Sequence, residues 1–442
     1  MPIHVSASYR ASPEMPQTAL NYLQSQTDNF GLFFSLDRIY YHMASCQIYI
    51  NQRYPELRAL AQSDSLKITK RQDVINVMRT VLRIPDYKLL NKEGKLSTSQ
   101  DVIENLINDQ ELSGEARRFA TLYREMSARN TILGNLGQYS VLPVCMDRDF
   151  QNERMVVAHP RWSLLSTSRF SAAEPSLQNL AREVVDIYTA PKGYQMVFSD
   201  SGQIEPRITY SAYIDDELLK NLIILYDDAY YGMLHYILMT QQEEDTGRAN
   251  FSTVQKKEIT QDMKDMRQRL KVLGLAGNYG SANLAAIDAE LGPVYERKIV
   301  AHPMRRRWEK QVSDQVRAGA KCFFAYFGTP VYPDNAKKDM SGISDYAAQN
   351  HYIRCGINNP IQATAAELMH LSIMEAKRTL NSREWVGAWK HDEGMFYVPE
   401  DTVDERGPIL RELLSYDVDG WIPIRSDLHI GRKKSGFAPP VF

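Results

Sequence analysis

The feature that most constrains this chain is a pair of acids, each at the end of a short apolar run, with a long helical block between them. Gln195-Met196-Val197-Phe198 is short, continuous and apolar, and it leads into Asp200, so it reads as a buried strand with an acid at its tip. Pro206 follows a few residues later and suits the first turn of a helix, which makes the segment strand, turn, helix. Val386 to Pro399 reads as a β-hairpin, with His391-Asp392-Glu393 near its turn and Gly394 following. Asp200 and Asp392 are 192 residues apart, and if both strands belong to one sheet their carboxylates meet across it. Carboxylates forced together repel unless a cation sits between them, and hard oxygen ligands suit Mg²⁺. Two such ions about 4 Å apart can clamp the attacking and leaving oxygens of an in-line phosphoryl transfer. Taken singly, each acid is an ordinary loop or turn residue. The chemistry comes from the two converging.

The rest of the chain reads as mostly helical. Residues 1 to about 138 include Tyr41 to Leu60, with apolar residues near helical spacing, and Ser97-Thr98-Ser99 ahead of Asp101 to Ile107, a capped helix start. Residues 211 to about 345 are again helical. Within them Leu219 to Ile237 is broken by Lys220, Asn221, Asp227, Asp228 and His235, so it reads as a buried helix and not as a membrane span. Pro360 is expected to open a long amphipathic helix running to about Leu380. The N-terminus, Met1-Pro2-Ile3-His4-Val5, lacks the basic start and apolar core of a signal peptide. The cysteines Cys46, Cys145, Cys322 and Cys355 are widely spaced with no C-x-x-C pair, which argues against structural zinc and fits a reducing compartment, the cytoplasm. A net charge of -2 does not announce a nucleic-acid binder, but DNA needs only a local basic groove. Arg305-Arg306-Arg307 and Arg432-Lys433-Lys434 are candidates for one, and both could equally be solvated surface.

Three further patterns carry chemistry. Arg267, Lys271, Leu275 and Tyr279 recur every four residues, so they drift by only about 40° per step along one helix face. That row is cationic at one end and apolar-aromatic at the other, matching the polarity of a nucleoside triphosphate. Gly274, Gly277 and Gly280 each cost about 1 kcal/mol in a helix interior, which suggests a surface kept bare for the close approach of a base pair. Arg354, Asn358 and Gln362 also step by four, with Pro360 expected to interrupt the helix between the last two. Ser166 to Ser171, then Pro175-Ser176-Leu177-Gln178-Asn179, adds more hydrogen-bond donors. Every base pair shows acceptors in the minor groove, so Arg, Asn and Gln can check pair shape without reading sequence.

Together these elements resemble family A DNA polymerases. Asp200 to Arg207 resembles motif A of that family, usually D-Y-S-Q-I-E-L-R; Arg267 to Gly280 resembles motif B; His391-Asp392-Glu393 resembles motif C. Arg354 to Ala366 is similar to R-x-x-I-N-x-P-x-Q-G-T-A-A, and Thr167 to Asn179 to T-G-R-L-S-S-x-x-P-N-L-Q-N. The five motifs stand in the family's order, and the resemblance runs from about residue 90 to the C-terminus.

The resemblance implies an α+β right-hand fold with an antiparallel palm sheet, helical fingers and a helical thumb. Expected boundaries are 1–138 for the thumb-like region, 139–210 for the first part of the palm, 211–345 for the fingers and 346–442 for the rest of the palm. It implies a template-directed DNA polymerase that adds dNTPs to a primer-template, with two Mg²⁺ ions for which Mn²⁺ can substitute. Asp200 and Asp392, helped by the Ser201 backbone carbonyl, would hold the metals, with Glu393 in support. Arg267 and Lys271 would grip the triphosphate, and Lys271 would protonate the leaving pyrophosphate. Tyr279 would stack near the templating position, Glu205 would exclude a 2′-hydroxyl, and Gln203 joins the substrate-binding set. Arg169, Gln178, Asn179, Arg354, Asn358, Gln362 and His391 would hold the DNA.

The chain also departs from the family pattern. Leu275 replaces the usual Phe or Tyr, Ser201-Gly202 the usual Tyr-Ser, Pro206 the usual Leu, and Ala363 the usual Gly. The thumb-like region begins within the first few dozen residues, so no proofreading exonuclease is expected, a compactness that suits a phage-encoded enzyme. A processivity or nuclease partner is an open expectation, and a membrane is not expected. Alternatives are a lesion-bypass, repair or reverse-transcribing variant, a single-subunit RNA polymerase, and an inert accessory protein that binds primer ends.

Overall fold

The computed structural model of the protein describes residues 1–91, 94–145, 154–278, 284–320, 322–333 and 346–431. They form two compact units. One holds Met1–Leu32, His159–Ala173 and the described residues from Gly193 onward; the other holds Phe33–Ala158 and Glu174–Lys192.

The first unit is organised by a four-stranded sheet in the order Trp385–Lys390, Glu393–Pro399, Tyr194–Ser201, Ser426–Gly431, antiparallel throughout. The strand expected before Asp200 is therefore central, and the expected hairpin pairs beside it. Burial on both faces explains why Met196, Val197, Phe198, Phe396, Tyr397 and Val398 are all apolar instead of alternating. The helix Val403–Glu412 covers one face: a Cβ on Gly407 would sit 2.7 Å from the Ile430 side chain, so the backbone itself is the packing surface there. The long helix Tyr346–Thr379 runs through this unit with Pro360 in its interior.

Pro360 thus neither opens nor breaks that helix, contrary to expectation. An interior proline costs about 3 kcal/mol through a lost backbone bond and a ring clash. Here Ile357, Ile361, Ala363, Ala365 and Ala366 bury around it, and Thr364 Oγ1 donates to the Pro360 carbonyl at 2.7 Å. Arg354, Asn358 and Gln362 consequently share one uninterrupted helix.

The segment Leu219 to Ile237, expected as a single helix, is two: Glu217–Tyr226 and Ala229–Leu238. Asp227 ends the first in the left-handed region (φ 51°), and the Asp228 side chain caps the second by accepting from Tyr231 N–H at 2.8 Å. The helices cross so closely that a Cβ on Gly232 would lie 2.6 Å from Ile223 Cα. They share a core with the helix Gln261–Asn278, which buries Leu270 and Leu273.

The expected thumb-like region 1–138 is divided between the units. Ile3–Val5 pairs in parallel with Tyr416–Val418, and the helix Met15–Phe30 packs on the hairpin strand Trp385–Lys390. The local helical pattern of the N-terminus could not report either long-range contact. The second unit has its own core between the helices Leu36–Ala61 and Gly114–Ser140, with Leu57, Phe119, Leu122 and Met126 fully buried. Its helix Gln100–Asn108 begins at Ser99 as expected, although the Ser99 side chain makes no capping hydrogen bond. Among the described residues, no helix is long and apolar enough to cross a membrane.

Candidate active site

The hairpin turn is two residues long, His391 and Asp392, closed by the pairing of Lys390 with Glu393. His391 takes φ 55°, the left-handed conformation that short hairpin turns demand. Glu393 is the cross-strand partner of Asp200, and Ser201 N–H donates to the Asp392 carbonyl at 2.9 Å. Asp427, on the opposite neighbouring strand, is also a partner of Asp200. Directly opposed residues in antiparallel pairs share a face, so Glu393, Asp200 and Asp427 form a row across three strands. Asp427 was not singled out in the sequence: its strand is only six residues long, and an acid ahead of Leu428, His429 and Ile430 does not by itself show that it pairs with Asp200.

Ser201 turns its hydroxyl away to the Leu414 carbonyl at 2.7 Å, which leaves main-chain oxygen as its contribution to any metal site. Gly202 donates to the Arg425 carbonyl at 2.8 Å, and a Cβ there would stand 3.0 Å from that oxygen, so the departure from serine fits a close strand approach. Pro206 falls in the first turn of the helix Ile204–Ile208, where its missing N–H has no partner to lose. Ala363 is buried with Ala325 and Val331, so its extra methyl is core.

Arg169 lies at the end of a tight turn between the strands Arg161–Leu164 and Phe170–Ala173. His370 sets that turn, with Nε2 2.9 Å from the Ser168 carbonyl. Burial holds the imidazole near a pKa of about 4, so it is neutral and Nε2–H donates. Nothing about a lone histidine in an apolar helix suggested this role. The Arg169 guanidinium pairs with Glu205, next to Asp392. Arg169, His370, His391 and Asp392 line one small hollow of about 10 Å³. Burial, with Glu205 and Glu393 close by, raises the Asp392 carboxyl above the usual range, although Arg169 pulls the other way.

The donor chemistry fits a divalent ion: hard oxygens, and a carboxylate crowded by others in a partly buried site. Among the described residues, no three His, Cys, Asp or Glu side chains gather as a ready-made ligand set, so Asp200 and Asp392 would rely on main-chain and substrate oxygens.

Arg267, Lys271 and Leu275 share a face of the helix Gln261–Asn278, beside the face that carries buried Leu270, Leu273, Gly274 and Gly277. Lys271 is exposed, and Leu275 is 44% exposed. Tyr279 and Gly280 lie outside the described residues, as does Arg432-Lys433-Lys434. The helix glycines serve a different purpose from the one expected. A Cβ on Gly277 would meet the Tyr295 ring at 3.0 Å, and one on Gly274 the Tyr230 ring at 3.5 Å, so their bare surface seats internal rings. Arg305 is likewise no surface cation: it is buried, donating to Glu309 and to the Gly277 carbonyl at 2.8 Å.

Arg267 is engaged by Asp228, at 2.6 to 3.2 Å. Gln203 joins them, donating to Asp228 at 2.6 Å and accepting from Ala229 N–H at 2.6 Å. The sequence reading passed over Asp228 as an interruption in an apolar run. On the helix Tyr346–Thr379, Arg354 is exposed while Asn358 and Gln362 are half-buried. Gln178 and Asn179 belong to the second unit, where the Asn179 carbonyl accepts from Asn135 at 2.8 Å.

Comparison with known proteins places this arrangement. The chain is 26% identical over 312 residues to DNA polymerase I of Chloroflexus aurantiacus, covering 66% of this chain and 30% of that protein. It is 23% identical over 384 residues to the thermostable DNA polymerase I of Thermus aquaticus, covering 82% of this chain and 41% of that one. It therefore spans well under half the length of either relative. Among solved structures, the POL domain of Pol1 from M. smegmatis, in complex with DNA primer-template and dNTP, superposes with a TM-score of 0.73 at 18% identity, over 94% of this chain and 70% of that one. The fold is the right-hand α+β polymerase fold. Polymerases of this family generally depend on divalent metal. The model of DNA polymerase family A matches residues 43–435, most of the sequence, and the chain belongs to that family.

Proposed function

We propose that this protein is a template-directed DNA polymerase that adds dNMPs to a primer 3′ end. The observation that carries the reading is the meeting of motifs A and C in one sheet, with Asp200 opposite Glu393 and Ser201 bonded to Asp392. Asp200, Asp392 and the Ser201 carbonyl would hold two Mg²⁺ ions, with Mn²⁺ as a substitute. When bound, the ions supply activation of the primer 3′-oxygen and stabilisation of the pyrophosphate leaving group.

The chain's own residues do the rest. Lys271, exposed beside Leu275, grips the triphosphate and protonates the leaving pyrophosphate, and Arg267 supplies a second cation. Tyr279 stacks near the templating base. Glu205, fastened by Arg169, blocks a 2′-hydroxyl. Arg169, His391, Arg354, Asn358 and Gln362, with Gln178 and Asn179, hold the primer-template, mainly through hydrogen bonds to minor-groove acceptors. The helix Gln261–Asn278 swings onto the nucleotide as the fingers close. Thumb (1–138), palm (139–210 and 346–442) and fingers (211–345) are proposed at the boundaries expected from the sequence, and the cytoplasm is the proposed compartment, in keeping with the free thiols of Cys46, Cys322 and Cys355.

The test is extension of a labelled primer on a DNA template with Mg²⁺ and dNTPs, beside an Asp392→Ala variant. Extension by the parent and none by the variant is expected. No extension by either, with primer-template binding intact, would overturn the enzyme reading in favour of an inert primer-end binder.

A further inference from the structure

The turn at Asp227-Asp228, between the helices Glu217–Tyr226 and Ala229–Leu238, is held from two sides. From the palm, Arg207 reaches the Asp227 carbonyl at 2.9 Å, and Gln203 bonds to both Asp228 and Ala229. From the fingers, Arg267 engages Asp228 through Nε and Nη2. Tyr230 and Tyr231 lie 5.5 and 5.3 Å from the guanidinium and flank it. Both ionic partners are mostly shielded, at 20% and 15% side-chain exposure, so water screens the pair little. Among the described residues, the hydrogen bonds of the Arg267 side chain go to this one carboxylate.

We propose that Asp228 is a positioning residue that docks Arg267 against the palm in the nucleotide-free state and is exchanged for the incoming triphosphate. The proposal rests on the polymerase reading for the identity of that ligand. A guanidinium paired with a carboxylate carries almost no net field, so it holds a phosphate weakly until the pair opens. A triphosphate carries several negative charges against one on Asp228, so it wins the exchange when the rest of the site grips it. Pyrophosphate, held by fewer contacts, loses Arg267 back to Asp228. The device thus trades some triphosphate affinity for faster product release.

Asp228→Asn isolates this role. Asparagine caps a helix as well as aspartate, its one amide oxygen taking the place of Oδ1 against Tyr231 N–H, so the helix Ala229–Leu238 keeps its start while Arg267 loses its ionic partner and Gln203 its acceptor. Binding of dNTP to the 442-residue protein on a dideoxy-terminated primer-template is read by intrinsic tryptophan fluorescence. Inhibition of single-nucleotide addition by pyrophosphate is measured in parallel. The variant is expected to bind dNTP about fivefold tighter and to be inhibited by about fivefold less pyrophosphate, the scale of one partly shielded charge. In an Arg267→Gln background the same substitution is expected to change neither. Weaker or unchanged dNTP binding in the variant would overturn the proposal, as would an undiminished effect without Arg267. Asp228→Ser, which also caps, repeats the comparison if the asparagine variant melts early. A parent that binds dNTP but extends no primer would defeat the polymerase reading alone. A parent that extends normally while the variant binds no tighter would defeat this proposal alone.

Discussion

Asp200 and Glu393 face each other across the central antiparallel pair of the palm sheet, and the next residue in each direction, Ser201 and Asp392, closes the register with a 2.9 Å backbone bond. A one-residue slip of the hairpin would send Glu393 to the opposite face. Motif C is thus held at motif A by strand register as well as by side chains. Asp200→Ala is expected to lower primer extension at least about a thousandfold, the scale of losing a group that stabilises the reacting charges. Glu393→Gln, which keeps the strand and removes a supporting charge, should cost far less, about tenfold. Single-turnover extension rates check both.

Arg169 and Glu205 form an ion pair, which ties the acid proposed to exclude a 2′-hydroxyl to the arginine proposed to hold the primer-template. Glu205→Ala is expected to raise the ratio of rNTP to dNTP incorporation by at least tenfold and to weaken primer-template binding, because Arg169 loses its partner. Competition between the two nucleotides in one reaction measures the first effect, and a titration of labelled primer-template the second.

Leu275 is 44% exposed on the outward face of its helix, so a larger side chain there meets no core. Leu275→Phe should therefore leave the melting temperature within a degree or two and lower KM for dNTP a few-fold by adding a flat ring against the nucleotide. Steady-state kinetics beside a thermal melt separates the two readouts.

Gly232 is fixed by packing. A Cβ there would stand 2.6 Å from Ile223 Cα and 2.7 Å from its backbone nitrogen, and neither atom can rotate away. Gly232→Ala should force the helices Glu217–Tyr226 and Ala229–Leu238 apart and cost about 3 kcal/mol, read as a lower urea midpoint.

Asp216 caps the helix Glu217–Tyr226 and accepts from Leu219 N–H at 2.9 Å. Burial alone would raise its pKa, but hydrogen bonds from His302, Leu219 and Arg248 outweigh that and hold it at about 2. Its folded value lies below the unfolded one, so its contribution is complete above about pH 4 and is lost as pH falls toward 2, about 2.5 kcal/mol in all. Asp216→Asn keeps the cap and removes the charge. It should destabilise the fold by about 2 kcal/mol at pH 7, with the difference from the parent shrinking between pH 4 and pH 2, as followed by helical ellipticity in urea.

What could be read from the sequence was local. The run ending at Asp200, the hairpin around Asp392 and the four-residue row of Arg267, Lys271 and Leu275 each have a short period that marks strand, turn or helix face, and each lies where that period places it. The interior position of Pro360 was misjudged because the cost of a proline is local while the burial that outweighs it comes from distant residues. Gly274 and Gly277 were misread for a related reason: spacing shows a bare helix face but not that Tyr230 and Tyr295 fill it.

The sequence by itself thus determined which residue types stand at which strand tips and helix faces, because backbone geometry repeats every two or 3.6 residues. Only the tertiary structure decided that Asp228 takes Arg267 and Gln203, that His370 sets the turn before Arg169, that Asp427 joins the acid row, and that Ile3–Val5 pairs with Tyr416–Val418. Those partners are separated by as many as four hundred residues, and no local period carries information over that distance. They meet because burying the apolar cores of the sheet and its helices brings their backbones together.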